Sequence, residues 1–341
     1  METMRAAVVR SFGEPLSIAQ VPIPVPGRHQ ALVRVQYTGV CHTDLHVTRG
    51  DWADPPELPF IPGHEGHGPV VALGPDVSGA RIGDHLGGTW LATACGACDY
   101  CLAGNEPLCP AQRNSGYSFG GSFAEFMLVD TRYAARIPPG TDPVAVCPIL
   151  CAGVTAYKAL KVTGARAGQW VVISGIGAVG HLAVQYARAM GLHVAAVDVD
   201  ESKLALARKH GAEVTVNALT QNPGTELAAQ VGGAHAALIT AATPRGFDGA
   251  LAMLRPGGTA ALIGLPPGSF SLDIVDTVRR GLIVRGSIVG NRLDLAEALE
   301  LYASRAVDPS VTLRPLERID AVLADLAAGQ VDGSVVLDPA V

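Results

Sequence analysis

Residues Gly175-Ile176-Gly177-Ala178-Val179-Gly180 lie between an apolar run, Val171-Val172-Ile173, and a stretch from Ala178 to Met190 with apolar positions at helical spacing. A second apolar run, His193-Val194-Ala195-Ala196-Val197, follows and ends at Asp198. Alone, a G-x-G-x-x-G run is a weak signal, and a glycine-rich turn accounts for it. Set after a strand, opening a helix and followed about 20 residues on by an acid, it is the fingerprint of a βαβ unit that lays a pyrophosphate on a helix N-terminus. Free N–H groups and the helix dipole favour negative charge there. Asp198 would accept hydrogen bonds from the adenosine ribose hydroxyls and repel a 2′-phosphate, so the expected cofactor is NAD in preference to NADP.

The alternation of strand and helix continues through 213–216, 236–240, 259–263 and 282–285, giving six expected strands of a doubly wound parallel sheet that ends near Ser287. Upstream the rhythm differs. Ala6-Ala7-Val8-Val9, Ala31-Leu32-Val33-Arg34-Val35 and Pro69-Val70-Val71-Ala72-Leu73 are short β-rich runs broken by Pro and Gly, the pattern of an irregular antiparallel domain. The run from Ser122 to Val129 continues it, and Leu293 to Ser304 reads as an amphipathic helix. A chain of 341 residues accommodates two such domains. The expected partition is a β-rich catalytic domain from 1–152 and 288–341, with a dinucleotide-binding domain at 153–287 between its two parts.

Seven cysteines make an odd set. Four of them, Cys95, Cys98, Cys101 and Cys109, form a C-x2-C-x2-C-x7-C array that could surround a zinc ion tetrahedrally and leave no open position, which is a structural role for a lobe at about 95–109. An iron–sulfur cluster and a pair of disulfides are the other readings of such an array. Cys41, His64 and Cys151 form a second set. Two thiolates and an imidazole leave one tetrahedral position free, as catalytic sites require, and Asp44 and Glu65 offer carboxylates that could orient ligands. Each of the three alone is more simply a buried Cys or a hydrogen-bonded His. Gly63, Gly66 and Gly68 around His64 permit close backbone approach. Thr43 and His46, ordinary turn and surface residues otherwise, would form a proton path beside a hydroxyl group bound at this set. With the catalytic domain carrying these residues, the active site is expected in a cleft between the domains.

A net charge of −6 without any basic run opposes nucleic acid as a partner. The first ten residues lack the pattern of a signal peptide and no apolar stretch is long enough for a bilayer, so the expected address is the cytoplasm, where cysteines serve more often as metal ligands than as disulfides.

Taken together, Gly39-Val40-Cys41-His42-Thr43-Asp44-Leu45-His46, Gly63-His64-Glu65-Gly66-His67-Gly68 and Val289-Gly290-Asn291-Arg292 resemble the zinc-containing alcohol dehydrogenases of the medium-chain dehydrogenase/reductase family, particularly the microbial type. The resemblance spans nearly the whole chain. It implies a GroES-like first domain and a Rossmann second domain, and two zinc ions per chain. Catalytic zinc would sit at Cys41, His64 and Cys151 with Glu65 as an alternative ligand, and Asp44 would hold His64. Structural zinc would sit at Cys95, Cys98, Cys101 and Cys109. Thr43 and His46 match relay positions, and Gly175, Gly177, Ala178, Val179, Gly180, Asp198, Lys203 and Arg292 match cofactor contacts, Arg292 at the pyrophosphate. Trp52, Trp90 and Leu265 match the lining of a narrow apolar pocket that favours small primary alcohols. The implied reaction is reversible, NAD-dependent oxidation of an alcohol to an aldehyde by a homo-oligomer, a tetramer in preference to a dimer. The competing readings are a zinc-dependent polyol or secondary-alcohol dehydrogenase and, outside enzymes, an NAD-sensing zinc-ribbon protein that binds nucleic acid.

Overall fold

The computed structural model, in which residues 2–341 are described, divides into two compact units. The first comprises Met1–Cys151, Val289–Ala303 and Pro309–Val341, and the second Ala152–Ile288 and Ser304–Asp308.

The second unit is a six-stranded parallel sheet of β1 (Trp170–Ser174), β2 (His193–Asp198), β3 (Val214–Asn217), β4 (Ala234–Ile239), β5 (Leu254–Leu262) and β6 (Ile283–Gly286), in the order 3-2-1-4-5-6. Strand order reverses at β1, the switch point outside whose carboxyl end open sheets of this kind bind ligands. The central strands carry Val172, Ala195, Val197, Ala237, Ile239 and Ala260 into one core with Leu227, Phe247 and Met253. Near-continuous apolar runs suit strands covered on both faces. Strand β5 begins five residues before the expected start at Thr259, because Pro256-Gly257-Gly258 reads as a turn in sequence. In the fold that tripeptide is absorbed as an irregularity in the register against β4, between Ala234 and Ala236.

In the first unit, Tyr37–Val40 lies between Glu65–Leu73 and the C-terminal strand Ser334–Asp338, antiparallel to both. Gln30–Arg34 joins Glu65–Leu73 to Phe126–Asp130, again antiparallel, and Val311–Pro315 runs parallel to the C-terminal strand. The strand expected at Pro69 starts at Glu65, ahead of it through Gly66-His67-Gly68, a stretch poor in strand formers. Contact rather than propensity sets it. A Cβ on Gly68 would come 2.0 Å from the Arg34 carbonyl oxygen, and one on Gly66 would come 2.3 Å from Ser122 Cβ. The expected strand at Ser122 forms only from Phe126, since Ser122 and Phe123 donate their amides to the carbonyls of Gly63 and Pro62 instead.

The helix Arg292–Ala303 buries Leu295, Ala298, Leu299 and Tyr302, one face at helical spacing. Its start is tied reciprocally, Asn291 N–H to Asp294 Oδ2 (3.0 Å) and Asp294 N–H to Asn291 Oδ1 (2.8 Å).

Candidate active site

Three segments of the first unit bring Cys41, His64, Glu65 and Cys151 together, with one ligand atom of each within 4.8 Å of all the others. Cys41 is the N-cap of α1 (His42–Arg49), where its Sγ accepts the Thr43 amide at 3.5 Å. Asp44, one turn into that helix and buried, spans two ligands. Its Oδ2 accepts the Cys41 N–H (2.9 Å) and its Oδ1 the His64 Nδ1–H (3.0 Å). The second bond fixes the imidazole tautomer and directs Nε2 into the cluster, where it lies 3.3 Å from Cys151 Sγ. Cys151 follows the wholly buried 3-10 turn Cys147–Leu150. Glu65 fits because residue 39 is glycine, where a Cβ would come 1.9 Å from Glu65 Oε2.

The four groups of this cluster shift one another's protonation. A hydrogen bond with Cys151 holds the Cys41 thiol well below its ordinary value, and the same partner, with burial, pushes Cys151 well above. Burial and the neighbouring Cys41 raise Glu65 well above the usual carboxyl range. Burial opposes charge on His64, but Asp44 outweighs it and holds the ring well above its usual value. Two thiols, a carboxyl and an imidazole, three of them buried and all within 4.8 Å of one another, are the donor set that a divalent ion favouring sulfur and nitrogen takes. This makes the cluster a candidate zinc site.

Cys95, Cys98, Cys101 and Cys109 form the second candidate zinc site, again with all sulfurs within 4.8 Å of one another. The amides of Ala97 and Cys98 point at Cys95 Sγ (3.4 and 3.3 Å) and pull its pKa down to about 6, whereas burial first, opposed by a Gly96 backbone hydrogen bond and reinforced by the other thiols, pushes Cys101 up to about 12. Amides aimed at a sulfur favour thiolate, the form that binds metal. Glu106 in this lobe, nearly buried, holds the guanidinium of Arg292 through Nε (2.8 Å) and Nη2 (2.5 Å), and Arg292 also lies over the Tyr133 ring at 4.7 Å. Arg292, expected at a pyrophosphate, is thus engaged with this lobe of its own unit.

Trp90 stands edge-on to the His64 ring, with centroids 5.4 Å apart. Trp52 meets Trp90 at 5.7 Å and stacks over His46 at 6.4 Å. Tyr117, which sequence reasoning missed, completes the wall 5.5 Å from Trp52 and 5.6 Å from Trp90, and its hydroxyl donates to the Asp54 carbonyl. The sequence signal at that position is only an aromatic residue in a glycine turn. Also missed was Asp51, whose Oδ2 lies 2.8 Å from His46 Nδ1. Thr43 sits in the first turn of α1, half-buried, between Cys41 and His46. Leu265 belongs to the second unit and is 54% exposed there.

In the second unit, Gly177 caps α2 (Ala178–Ala189), with Ala178 and Val179 half-buried in its first turn and open space where a Cβ would stand on Gly177. Gly180 packs so closely on the turn that its Cβ would lie 1.9 Å from the Gly175 carbonyl oxygen, and Gly175 holds a φ of +94°. Asp198 ends β2 and locks the turn by accepting the Ile176 amide at 2.6 Å, while its other oxygen takes the amides of Val199 and Asp200 at 2.7 and 3.1 Å. Lys203 is half-buried in the following helix, Glu201–Lys209.

The family model for the alcohol dehydrogenase GroES-like domain matches residues 27–139, and that for zinc-binding dehydrogenases matches residues 178–304. An alcohol dehydrogenase of Moraxella sp. (strain TAE123) is 52% identical over 98% of this chain and 99% of its own. One from Geobacillus stearothermophilus is 48% identical over 98% of each. The crystal structure of the alcohol dehydrogenase from the archaeon Aeropyrum pernix superposes with a TM-score of 0.91 at 32% identity, covering 98% of this chain and 100% of that one. Two further similar structures hold a nicotinamide cofactor. They are acetophenone reductase from Geotrichum candidum with NAD (TM-score 0.87, 30% identity, 99% and 98% covered) and a zinc-binding dehydrogenase of Sinorhizobium meliloti 1021 with NADP (TM-score 0.90, 30% identity, 99% and 100% covered). Identity of this extent over nearly the whole of both chains, with both family models matched, leaves one assignment: the chain belongs to the zinc-containing alcohol dehydrogenases of the medium-chain dehydrogenase/reductase family.

Proposed function

We propose that this zinc alcohol dehydrogenase reversibly oxidises short primary alcohols to aldehydes, with NAD as the hydride acceptor. The observation that carries the substrate class is the aromatic wall of Trp52, Trp90 and Tyr117 set against His64. Three large rings beside the cluster suit a small apolar group and crowd a bulky one.

Cys41, His64 and Cys151 would hold the catalytic ion, with Glu65 as the exchangeable fourth ligand, and the four cysteines of the 95–109 lobe would hold the structural one. When bound, zinc supplies Lewis acidity that lowers the pKa of a hydroxyl by roughly nine units in the case of water, and NAD supplies the hydride acceptor. Nine units are roughly 12 kcal/mol, far beyond the about 1 kcal/mol of a hydrogen bond from Thr43, so the side chains here position and conduct rather than ionise. Asp44 orients the His64 ring and the Cys41 backbone together. The Thr43 hydroxyl takes the substrate proton and His46 passes it outward. Because Asp51 engages His46 Nδ1, Nε2 is the nitrogen left to accept that proton. The rings exclude water and hold the substrate carbon for transfer.

For the cofactor, the pyrophosphate would lie on the turn Gly175 to Gly180 at the start of α2, with Lys203 nearby. The Asp198 carboxylate would accept the ribose hydroxyls, which supports NAD over NADP. The assembly is read as a homo-oligomer, a tetramer in preference to a dimer. Support comes from the outer edge of β6, which pairs with no further strand among the described residues, and from the neighbouring helix Ile274–Arg280, none of whose residues is buried and whose Ile274 and Val278 are 75% and 73% exposed. No helix among the described residues is long and apolar enough to cross a membrane, and seven free thiols suit a reducing cytoplasm.

The test is a purified sample assayed for zinc per chain and for NADH formed from a graded series of alcohols. Two zincs with turnover falling as the chain lengthens or branches supports the proposal. A preference for secondary alcohols would favour the second reading, to which the likeness to acetophenone reductase lends weight.

A further inference from the structure

The second unit carries a cavity of about 290 Å³ that the dehydrogenase chemistry does not use, lined by Arg166, Gln169, His235, Arg255, Gly257 and Thr259 among others. Its place in the sheet separates it from the cofactor turn. Gln169 immediately precedes β1, His235 is the second residue of β4, and Arg255 to Thr259 form the first half of β5, so the cavity opens at the amino ends of the parallel strands. Gly175 to Gly180 and Asp198 stand at the carboxyl ends, with the whole of β1 between, roughly 16 Å of strand.

Two features point to an anion. First, the charge is uncompensated: no Asp or Glu lines the cavity, and among the described residues neither Arg166 nor Arg255 is paired with a carboxylate. Second, His235 is caught between donors. The Trp170 amide donates to its Nδ1 at 3.2 Å, and Arg255 Nη1, which can only donate, lies 2.9 Å from its Nε2. A neutral imidazole has one lone pair and one N–H, and an imidazolium has none to offer, so in either state at least one contact sets donor against donor. With the buried-side bond to Trp170 satisfied, Nε2 carries hydrogen and faces the guanidinium. An acceptor placed between them would take both hydrogens and remove the conflict. Burial and Arg255 also lower the His235 pKa, in keeping with that environment.

We propose that this cavity binds a small oxyanion, either free phosphate or the phosphate group of a small ester, held by the guanidiniums of Arg166 and Arg255 and by His235 Nε2–H. The volume is at the low end for ligand pockets and suits such a group better than a second dinucleotide. Arginine forks match the geometry of phosphate oxygens, which places this ligand ahead of a halide.

The test uses the full-length zinc-loaded enzyme saturated with NADH, so that the cofactor turn is filled. Inorganic phosphate is titrated by calorimetry against potassium chloride of matched ionic strength. One saturable site per chain is expected, with Kd raised at least about tenfold in Arg255→Gln and by a smaller factor in Arg166→Gln, the fold-change of losing a charge-assisted hydrogen bond. NADH affinity and kcat should be unchanged in both variants, which also reports that they are folded. A parallel titration with glycerol 1-phosphate separates the sources: tighter binding than phosphate marks an ester, equal or weaker binding the free ion. No saturable binding to the wild-type enzyme, or equal Kd in the wild type and both variants, overturns the proposal.

Discussion

The two cysteine-bearing clusters solve opposite problems with similar atoms. Cys95, Cys98, Cys101 and Cys109 come from one short segment, all offer sulfur, and the first of them is exposed. Cys41, His64, Glu65 and Cys151 come from three distant segments, mix sulfur, nitrogen and oxygen, and are buried or nearly so. In the first, a metal would hold the protein in shape, since few apolar contacts do so: Leu91, Ala94, Cys109 and Tyr133 form a small core. In the second, the protein holds the site in shape, through Asp44, the strand at Glu65 and the buried turn before Cys151. A locally built cluster should therefore matter to stability, and one built by the fold should matter to chemistry.

The largest expected effect is from Cys41→Ala. One of two zincs should be lost and kcat should fall by about 10⁴-fold or more, with NADH binding retained. Zinc analysis, steady-state rates and NADH fluorescence quenching check it, and substantial turnover with a single zinc would break the comparison. Next, Cys98→Ser should lose the other zinc and destabilise the fold by about 4 kcal/mol or more, while kcat per remaining catalytic zinc changes little. Thermal melts with and without chelator read this out.

A third effect belongs to neither cluster and serves as a control. His181 is fully buried in α2, its Nδ1 bonded to the Gly177 carbonyl at 3.1 Å, and burial pulls its pKa down from 6.5 to about 4. As the pH falls from 6.5 towards 4, the unfolded chain takes up a proton that the folded one refuses. Stability is full above 6.5 and declines through that window, by up to about 3 kcal/mol. The slope should persist in both cysteine variants and shrink without vanishing in His181→Gln, because burial holds His67 down to about 4 as well, measured by denaturant melts across the window.

Smaller again, Asp44→Asn should weaken the catalytic zinc alone by about 10- to 100-fold. Both Asp44 oxygens accept from N–H groups, so an amide must turn a donor onto either Cys41 or His64. Competition with a chelating dye would report the loss, and equal loss of both zincs would blur the distinction between the clusters. The smallest effect is on selectivity. Trp52→Ala and Trp90→Ala should each erode the preference for short over long alcohols by about tenfold, seen in kcat/KM across an alcohol series.

The same contrast explains what could be read from sequence. The four-cysteine lobe was legible because its ligands are neighbours in the chain, and the βαβ unit because Gly175, Gly177, Gly180 and Asp198 each answer a local steric or hydrogen-bonding demand. What depends on distant contact was not legible. Asp51 bracing His46, Tyr117 closing the ring wall and Glu106 holding Arg292 are pairings that no local pattern announces. The early start of the strand at Glu65 was hidden because its glycines are chosen for the approach of Arg34 and Ser122 rather than for strand propensity. Cys41, His64 and Cys151 were brought together by resemblance and chemical type, with Asp44 as the one nearby clue.

The most direct measurement is an anomalous difference map from crystals of the active enzyme, collected at the zinc absorption edge. Two peaks per chain are predicted, one enclosed by Cys95, Cys98, Cys101 and Cys109 and one bounded by Cys41, His64 and Cys151 with a position left for substrate. A single peak in the four-cysteine lobe, from a preparation that still oxidises alcohol, would contradict the account.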